Sequence, residues 1–495
     1  TSTVAGAAAE GGQGCGALTG WLEVILVILR KELPEASEGK EPLGQPTTVE
    51  ERNAWPWWKL KKWSLQLLVR WFHRYGMPKY AADEDKPFAE AFSKVWAPAL
   101  LEPIMTMLAL RSQGRFCTDR CVQLSLTFME SSIQIGSTYK LLKPHMHFVM
   151  ANVVFPLLCL TDDDLELFDT DPHEFVRKGS DFMEEFNDPV MAAKNLLEGI
   201  MKHRKKDNLP AFLDFLTNEL NKYLATDDAS KDYRTKDGCM HAIGCLNEIL
   251  KESKKYKSQL EPLLMGHFVP EFTSQHGFLR ARAAWSIQWF ADIQFTNFEH
   301  VTMLVQHMMQ ALRDPCLPVQ IEAANGLGAL INVDGTEACF LPVLPELLNE
   351  YFRIMSEIGA DNVIKALDTI IEKFGEEIVP HATLLVQKLC ESFIQYATSQ
   401  GNGEDEEDDE LSIAADQCLD AIQTVISAVC HGDGSKAAIA PMLTAMEPPL
   451  LQVLSVILDQ SGNYIEHLEN GLHILEFVTY FPEQVSGGYI ALLPL

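Results

Sequence analysis

The chain has few of the features that mark a secreted or membrane-spanning protein. Its 11 cysteines among 495 residues are dispersed, odd in number and never spaced as Cys-x-x-Cys, which is typical of a reduced intracellular protein. No signal peptide opens the sequence, and the longest apolar run, 148–160, carries Asn152 and Pro156. That run is too short for a bilayer of about 30 Å. We therefore expect a soluble protein without membrane insertion.

Signatures of catalysis and of metal binding are also missing. The sequence contains no Gly-x-Ser-x-Gly, phosphate loop, dinucleotide fingerprint or His-Glu-x-x-His. A calcium loop from Asp162 would need Gly at its sixth position and Glu at its twelfth, where Leu167 and His173 stand. Cys117 and Cys121 lack a second pair at zinc-finger spacing. We predict no enzymatic activity, no separate catalytic domain, no cofactor and no metal.

Positive charge is scarce. The chain has 69 acidic and 40 basic residues, a formal net charge of -29. Nucleic acid is therefore not expected as a direct partner, because duplex binding needs clustered Lys and Arg to displace counterions. Basic proteins are the expected ligands, since an acidic surface speeds their encounter. The alternative, that the charge only keeps a large protein soluble, stays open.

A repeat of about forty residues runs through the chain. The segment 279–287 lies over 319–327, with Ala or Gly at matching positions, and each follows an apolar helix and a short break. This period belongs to HEAT and armadillo repeats, in which a helix pair buries its apolar face against the next pair. We predict an all-α fold, an α-solenoid (superhelix) of HEAT/armadillo-like antiparallel helix pairs, with negligible sheet.

The domain organisation follows from composition. Residues 1–16 are rich in Ala and Gly and are expected to be flexible, and 17–495 are expected to form one continuous HEAT-repeat solenoid. Two loops interrupt it, at 34–53 and at 399–410, the second of which is acidic. Because the sequence lacks an initiator Met and stops within an apolar stretch, we expect an internal fragment of a longer chain.

The segment Trp55 to Gly76 is the most aromatic of the chain. A proline near its start and a glycine at its end predict a helix. Apolar residues recur along it at spacings of three and four, which predicts a core face of Leu60, Trp63, Leu67 and Trp71. The basic residues predict a solvated or partner-facing stripe of Lys59, Lys61, Lys62, Arg70 and Arg74.

Several motifs resemble the importin-β superfamily. Residues 155–177 join an apolar helix end, an acidic turn and a Pro-started helix, as a signature of that superfamily does. The segment Trp-Trp-Lys-x-Lys-Lys-Trp-x-Leu from Trp57, with the later Arg-Tyr-Gly, is similar to the importin seven and importin eight branch. The likeness continues in order through 236–244 and 265–290. It covers the chain from about residue 20 onward.

The resemblance implies a nuclear import receptor that binds basic protein cargo, such as ribosomal proteins and histones. Its implied partners are the GTPase Ran, Phe-Gly nucleoporins and possibly importin-β, and it would shuttle between cytoplasm and nucleus through the pore. The main Ran-binding repeats would lie N-terminal to this chain. Two alternatives stay open: an exporter of importin-α, and a HEAT scaffold subunit of an enzyme complex such as a phosphatase.

Two sets of residues are candidate contacts for cargo or Ran. The first is the acidic run, whose like charges repel and cannot pack; a tolerated surface insertion is the alternative reading. It comprises Glu404, Asp405, Glu406, Glu407, Asp408, Asp409 and Glu410. The second is Arg282, Trp285 and Trp289, which share one helix face away from Ala283, Ala284 and Ile287. Exposed Trp beside Arg favours a binding hot spot, although neighbouring repeats could bury these side chains.

Overall fold

The computed structural model describes residues 16–31, 45–180, 188–357, 361–399, 406–431, 436–458, 464–482 and 484–492. Throughout these ranges the chain is helical with short connections and contains no strand, so the predicted all-α class is confirmed. Of the segment 1–16, only Gly16 lies within the described residues, where it begins the first helix. The continuity of a solenoid over 17–495 stays a prediction.

The chain divides into two compact units, Thr1–Glu166 with Val176–Ile249 and Leu167–Phe175 with Leu250–Leu495. The described α-helices up to residue 252 are α1 Gly16–Arg30, α2 Val49–Ala54, α3 Pro56–Trp71, α4 Lys86–Ala91, α5 Ala97–Ser112, α6 Asp119–Gln134, α7 Gly136–Leu142, α8 Met146–Phe148, α9 Phe155–Leu158, α10 Asp162–Thr170, α11 Pro172–Ser180, α12 Pro189–Ala225, α13 Tyr233–Cys245 and α14 Asn247–Glu252.

Those that follow are α15 Leu260–Leu263, α16 Gly277–Phe290, α17 Phe298–Ala311, α18 Leu317–Ile331, α19 Glu337–Phe340, α20 Leu344–Glu357, α21 Asp361–Lys373, α22 Gly375–Ile378, α23 Ala382–Ser399, α24 Glu406–His431, α25 Lys436–Ile457, α26 Leu468–Tyr480 and α27 Gly487–Ala491. Wider π-helical turns lie at Phe72–Gly76, Phe92–Trp96, Val149–Val154 and Leu264–Phe268. Short 3-10 turns lie at Lys143–His145, Asp228–Ser230, Lys257–Gln259, Val269–Thr273, Leu341–Val343, Val379–His381 and Ile465–His467.

In the first unit, α3, α6 and the first half of α12 pack side by side, with α1 and α5 behind them. Helix α12 is two helices joined at Arg204, whose φ of -136° and ψ of 26° break the helical path. The Arg204 side chain holds the kink, because its Nε donates to the Ile133 carbonyl oxygen at 2.8 Å and its guanidinium stacks on Tyr139. The second half of α12 then pairs with α13, as the repeat pattern predicts.

In the second unit the helices form two layers. Helices α17, α20, α23 and α25 are the first helices of successive pairs (A helices), and α18, α21, α24 and α26 are the second (B helices). Each B helix packs against the B helix of the next pair, and α16 begins this B layer. The buried faces are apolar, so each pair completes the core of its neighbour.

Both predicted loops are shorter than the sequence suggested. Residues 34–44 of the first lie outside the described residues, but α2 occupies Val49–Ala54, with Thr48 Oγ1 accepting from the backbone N–H of Glu51. In the acidic segment 399–410, α23 includes Ser399 and α24 begins at Glu406.

The predicted core face of α3 is wrong. Leu60, Trp63 and Leu67 are 51%, 59% and 37% exposed, whereas the buried face carries residues such as Trp58 and Leu65. The predicted helix is present, but it has apolar residues on two faces. Helices α1 and α6 pack against the face that carries Trp58 and Leu65. The basic stripe is also interrupted. Lys61 is buried and its Nζ donates to the Leu29 carbonyl oxygen at 3.0 Å.

Among the residues that the structure describes, three helical stretches are long and apolar enough to cross a membrane by length and composition alone, contrary to our expectation: Gly136–Thr170, Leu411–His431 and Ile439–Ile457. The first is not one helix, since the backbone leaves the helical path at Cys159. In the second, apolar residues such as Leu419 and Ile422 are buried where α24 packs against α21 and α23. Helix packing therefore accounts for much of the apolar character of this second stretch.

A carboxylate joins α15 to the start of α17. Glu261 Oε2 accepts from the backbone N–H and the hydroxyl of Thr296 at 2.8 and 2.6 Å. Its Oε1 accepts from the backbone N–H of Asn297 at 3.2 Å and lies 2.7 Å from His300 Nδ1. Burial acts to raise the pKa of Glu261, but these hydrogen bonds outweigh it and hold the pKa at about 2.

We expect Glu261→Gln to lower the free energy of unfolding by roughly 1–3 kcal/mol, because hydrogen bonds to a charged acceptor are lost. The folded-state pKa lies below the ordinary value, so the carboxylate stabilises the fold fully above about pH 4.5. The difference between wild type and variant should shrink as the pH falls toward 2. Urea titrations between pH 7 and pH 3 measure it. Exposed Glu299→Gln is the control, and an equal loss there would contradict the assignment.

Candidate functional site

The acidic part of the 155–177 signature is a helix start. Thr161 Oγ1 accepts from the backbone N–H of Asp164 at 3.1 Å, and Asp164 Oδ2 accepts from the backbone N–H of Thr161 at 2.9 Å. This reciprocal pair is a capping box. Burial acts to raise the pKa of Asp164, yet the hydrogen bonds from Thr161 prevail and the pKa lies below its ordinary value. The acidic residues predicted as a turn therefore begin α10.

An acidic residue also caps the next helix, α11. Asp171 precedes Pro172, and its Oδ1 accepts from the backbone N–H of Glu174 at 3.1 Å. Proline at the first helical position has no N–H to leave unsatisfied. Asp171 therefore caps the start of α11. Among the residues that the structure describes, no group of three or more His, Cys, Asp or Glu could hold a metal ion.

The signature interlocks with α13, which carries another of the motifs on which the resemblance rests. His241 Nδ1 lies 2.9 Å from the Leu158 carbonyl oxygen, and Arg234 pairs with Asp162. Gly238 is pressed against Cys159, where an added Cβ would overlap the Sγ atom. Two motifs that lie some eighty residues apart in sequence thus form one packing unit.

A tryptophan ladder lies on the exposed side of the B layer in the second unit. On α16, Ala283, Ala284 and Ile287 are buried, and Trp289 is 39% exposed. The Trp285 and Trp289 ring centroids are 5.9 Å apart at 63°. The Arg282 guanidinium lies 4.8 Å from the Trp285 ring centroid. The three predicted residues therefore form one row on the face opposite the buried alanines.

Helix α18 lies beside this ladder in register. An added Cβ at Gly326 would lie 3.2 Å from the Ala284 carbonyl oxygen, so the two backbones nearly touch. One turn earlier, half-buried Glu322 is adjacent enough to Arg282 to feel its charge. Burial raises the pKa of Glu322 to about 7 despite the opposing pull of that arginine. Glu322 is thus a poorly solvated carboxylate next to the ladder.

Further along the B layer, carboxylates from two helices come together. Asp368 of α21 lies near Asp420 of α24, and Glu372 and Asp416 add further negative charge. Burial, together with these like charges, raises the pKa values of Asp368 and Asp420. Sequence reasoning missed Asp368, Asp420 and Glu322 as site residues, because the sequence does not show which acids of different helices come together.

One ion pair fixes the start of α16. The Arg280 guanidinium donates two hydrogen bonds to the Asp314 carboxylate, from Nε to Oδ2 at 2.6 Å and from Nη2 to Oδ1 at 2.8 Å. Both side chains are largely buried, and Arg280 also donates to the Ser274 carbonyl oxygen at 2.8 Å. The hydrogen bonds from Asp314 raise the pKa of Arg280. This pair links two successive repeats and so orients the face that bears the ladder.

The acidic run is only partly within the described residues. Glu404 and Asp405 lie outside them, and residues 406–410 form the first turns of α24. Its role as a contact for cargo or Ran stays a prediction. The structure does not bring the ladder residues and the run into one described site.

The chain is similar to proteins named as importins or nuclear transport receptors. A family model described as Cse1 matches residues 88–264. The importin beta-like SAD2 homolog of Arabidopsis thaliana is 34% identical over 96% of this chain and 44% of its own length. Importin-8 of Homo sapiens is 30% identical over 83% of this chain and 38% of its length. The probable importin-7 homolog of Dictyostelium discoideum is 28% identical over 88% of this chain and 40% of its length.

Two solved structures share the fold. The exportin Cse1 in its cargo-free, cytoplasmic state has a TM-score of 0.69 and 14% identity, covering 96% of this chain and 48% of that one. Lph2, a bidirectional nuclear transport receptor of S. cerevisiae, has a TM-score of 0.60 and 13% identity, covering 96% and 52%. Identities this low show the fold alone. The chain spans less than half the length of the sequence relatives named above.

We expect Gly238→Ala to destabilise the first unit by roughly 1–3 kcal/mol, because its methyl group would overlap the Cys159 Sγ atom in a packed interior. Cys159→Ala removes that atom, so the double variant should recover most of the loss. Gly266→Ala is the matched control, since an added Cβ there meets nothing within 4 Å. Chemical denaturation measures all four proteins. An equal loss from both glycine variants would contradict the interlock.

Proposed function

This chain belongs to the importin-β superfamily, in the branch of importin-7 and importin-8, and we propose that it is part of a nuclear import receptor for basic protein cargo. The observation that carries this proposal is the excess of acid, 69 residues against 40 basic ones, on a helical-repeat array of this family. A repeat array offers long surfaces rather than a single pocket. Ribosomal proteins and histones are cargo of the required charge.

The B layer of the second unit supports binding of basic cargo. Burial raises the pKa values of Asp368 and Asp420, and Asp420 is close enough to Asp368 to add to the rise in the pKa of Asp368. A lysine or arginine placed between two such carboxylates would reduce the repulsion between them. It would also stabilise their charged forms, which burial deprives of hydration. The tryptophan ladder on α16 adds apolar contact area of the kind that hot spots use. Reversible binding, with no covalent chemistry, is the activity that we propose.

We propose that Ran in its GTP-bound form releases the cargo by changing the angles between neighbouring helix pairs. Small rotations add up along an array in which each pair contacts only its neighbours. The further proposed partners are Phe-Gly nucleoporins and, for some cargo, importin-β. The receptor would shuttle between cytoplasm and nucleus through the pore. For this chain we propose neither direct nucleic-acid binding nor membrane insertion.

Two other functions make different predictions about Ran. An exporter of importin-α would bind cargo more tightly with RanGTP, and an enzyme scaffold would be indifferent to it. The relatives named importin favour import over both. No observation on the described residues specifically favours the scaffold.

We expect RanGTP to dissociate a labelled linker histone or basic ribosomal protein from the receptor. Fluorescence anisotropy during a RanGTP titration measures this, with RanGDP as the control. The titration should be run with this chain and with any longer protein that contains it, because the resemblance puts the main Ran site in preceding repeats. Tighter cargo binding with RanGTP would indicate the exporter, and an unchanged affinity in the longer protein would indicate the scaffold.

We expect removal of three charges from the acidic run to weaken cargo capture roughly twofold to fivefold at low salt. The variant is Glu407→Gln, Asp408→Asn and Asp409→Asn. Its matched control removes the same charge from the first unit, with Asp83→Asn, Glu84→Gln and Asp85→Asn. The two variants should become equal near 0.5 M salt, where exposed charges are screened. Equal weakening at low salt would show that only net charge matters and that the run is a tolerated insertion.

A further inference from the structure

We propose that an exposed row of side chains on α3 is a docking site for a short acidic segment of a partner protein, with its cations pairing with the carboxylates and its tryptophan giving the apolar contact. The α3 row consists of Lys59, Trp63, Arg70 and Arg74, flanked by Lys62. The site goes beyond the proposed function and does not rest on it, because its ligand has the opposite charge to the basic cargo.

Acidic residues are missing from this part of the sequence. Residues 52–82 contain seven Lys or Arg residues and no Asp or Glu, in a chain that has 69 acidic residues against 40 basic ones. Within the described ranges, none of Lys59, Arg70 and Arg74 forms an ion pair with a carboxylate. The positive charge of the α3 row is therefore available to a ligand.

The α3 row lies on a single face. Its members are four or seven residues apart, and these spacings bring side chains to the same side of a helix. All four side chains are exposed. Lys59 and Arg70 are about 16 Å apart along the helix axis, at about 1.5 Å per residue. An extended peptide covers this distance in about five residues.

The neighbouring helix α6 adds a further cation beside the α3 row. Arg120 donates from Nη2 to Gln66 Oε1 at 2.8 Å, and Gln66 lies one helical turn before Arg70. Burial lowers the pKa of Arg120, and the positive charge of Arg70 lowers it further. The two guanidinium groups therefore repel each other, and a carboxylate bound near them would stabilise both.

Trp63 supplies the apolar part of the site. Its side chain is 59% exposed, and Leu60 and Leu67 beside it are 51% and 37% exposed. The Lys62 Nζ atom lies 5.2 Å from the Trp63 ring centroid, so charge and ring are presented together. A leucine or phenylalanine among the acids of a ligand would bury itself against this ring while the carboxylates meet the cations. The expected ligand is therefore both acidic and partly apolar.

The short length of the α3 row favours a peptide over nucleic acid or an anionic membrane. Both of these carry negative charge over long distances, and duplex DNA carries about one charge per 1.7 Å of its axis. Beyond the row they would meet the rest of a chain whose net charge is -29. A short acidic segment keeps its charge over the row and avoids this repulsion.

The test uses the whole chain and three labelled peptides of equal length. The first carries glutamates and two leucines, the second has glutamines in place of the glutamates, and the third has alanines in place of the leucines. We expect the first to bind most tightly at low salt. Lys59→Gln combined with Arg70→Gln should weaken it roughly fivefold to tenfold, and Trp63→Ala roughly threefold. Fluorescence anisotropy gives the affinities, and thermal melts confirm that the variants fold.

The matched controls change exposed side chains of the second unit. Lys254→Gln combined with Lys257→Gln removes the same charge, and Tyr480→Ala removes a ring that is 78% exposed. Both should keep the affinity for the first peptide within about twofold of wild type.

The proposal is overturned if the control variants weaken binding as much as the row variants, or if the glutamine peptide binds equally well. Tighter row-dependent binding of a single-stranded oligonucleotide or of phosphatidylserine vesicles would also overturn it, because the ligand would then not be a peptide. So would loss of peptide binding in a longer protein that contains this chain, because the row would then be covered. None of these outcomes alters the cargo and RanGTP titrations, so failure here is distinguishable from failure of the proposed function.

Discussion

The close approach of successive B helices is the constraint on which the second unit depends. An added Cβ at Gly326 would lie 3.2 Å from the Ala284 carbonyl oxygen, and one at Gly328 would lie 3.0 Å from the Ala366 Cβ. Backbones can come this near only where both helices carry small residues. Larger residues would push the helices apart and open the apolar core between them. The same closeness brings the outward-facing side chains of neighbouring helices into register.

This constraint explains why so much of the fold could be predicted. Each contact between B helices requires small residues, so small residues recur in the sequence at intervals of forty. Ala283 and Ala284 thus correspond to Ala323 and Ala324. All four are essentially fully buried. The same packing requirement determines both the distance between the helices and the pattern of small residues. The pattern in the sequence therefore predicts the arrangement of the helices. The same requirement predicts the row of Arg282, Trp285 and Trp289 on α16, because these residues lie on the face opposite the helix contact.

The failures have a common physical cause. On α3, Trp63 and Leu65 belong to two different apolar faces, and only the positions of α1 and α6 decide that Leu65 is the buried one. Likewise the sequence does not reveal the pairing of Asp368 with Asp420, because nothing local shows that α21 and α24 bring them together. Sequence periodicity defines faces of a single helix. It does not say which face meets a neighbour, and it carries no information on pairs across helices.

The register between helices also sets the electrostatic geometry of the tryptophan ladder. The Arg282–Trp285 stack lies on one helix and Glu322 on the next, so their spacing depends on the angle between α16 and α18. A rotation that kept each helix intact would still move the carboxylate relative to the rings. The energy of a charge near a low-dielectric surface changes steeply over an ångström or so. A small change of the angle between α16 and α18 would therefore change the electrostatic energy of Glu322 without unfolding any helix, and the release of cargo proposed above needs a change of this kind.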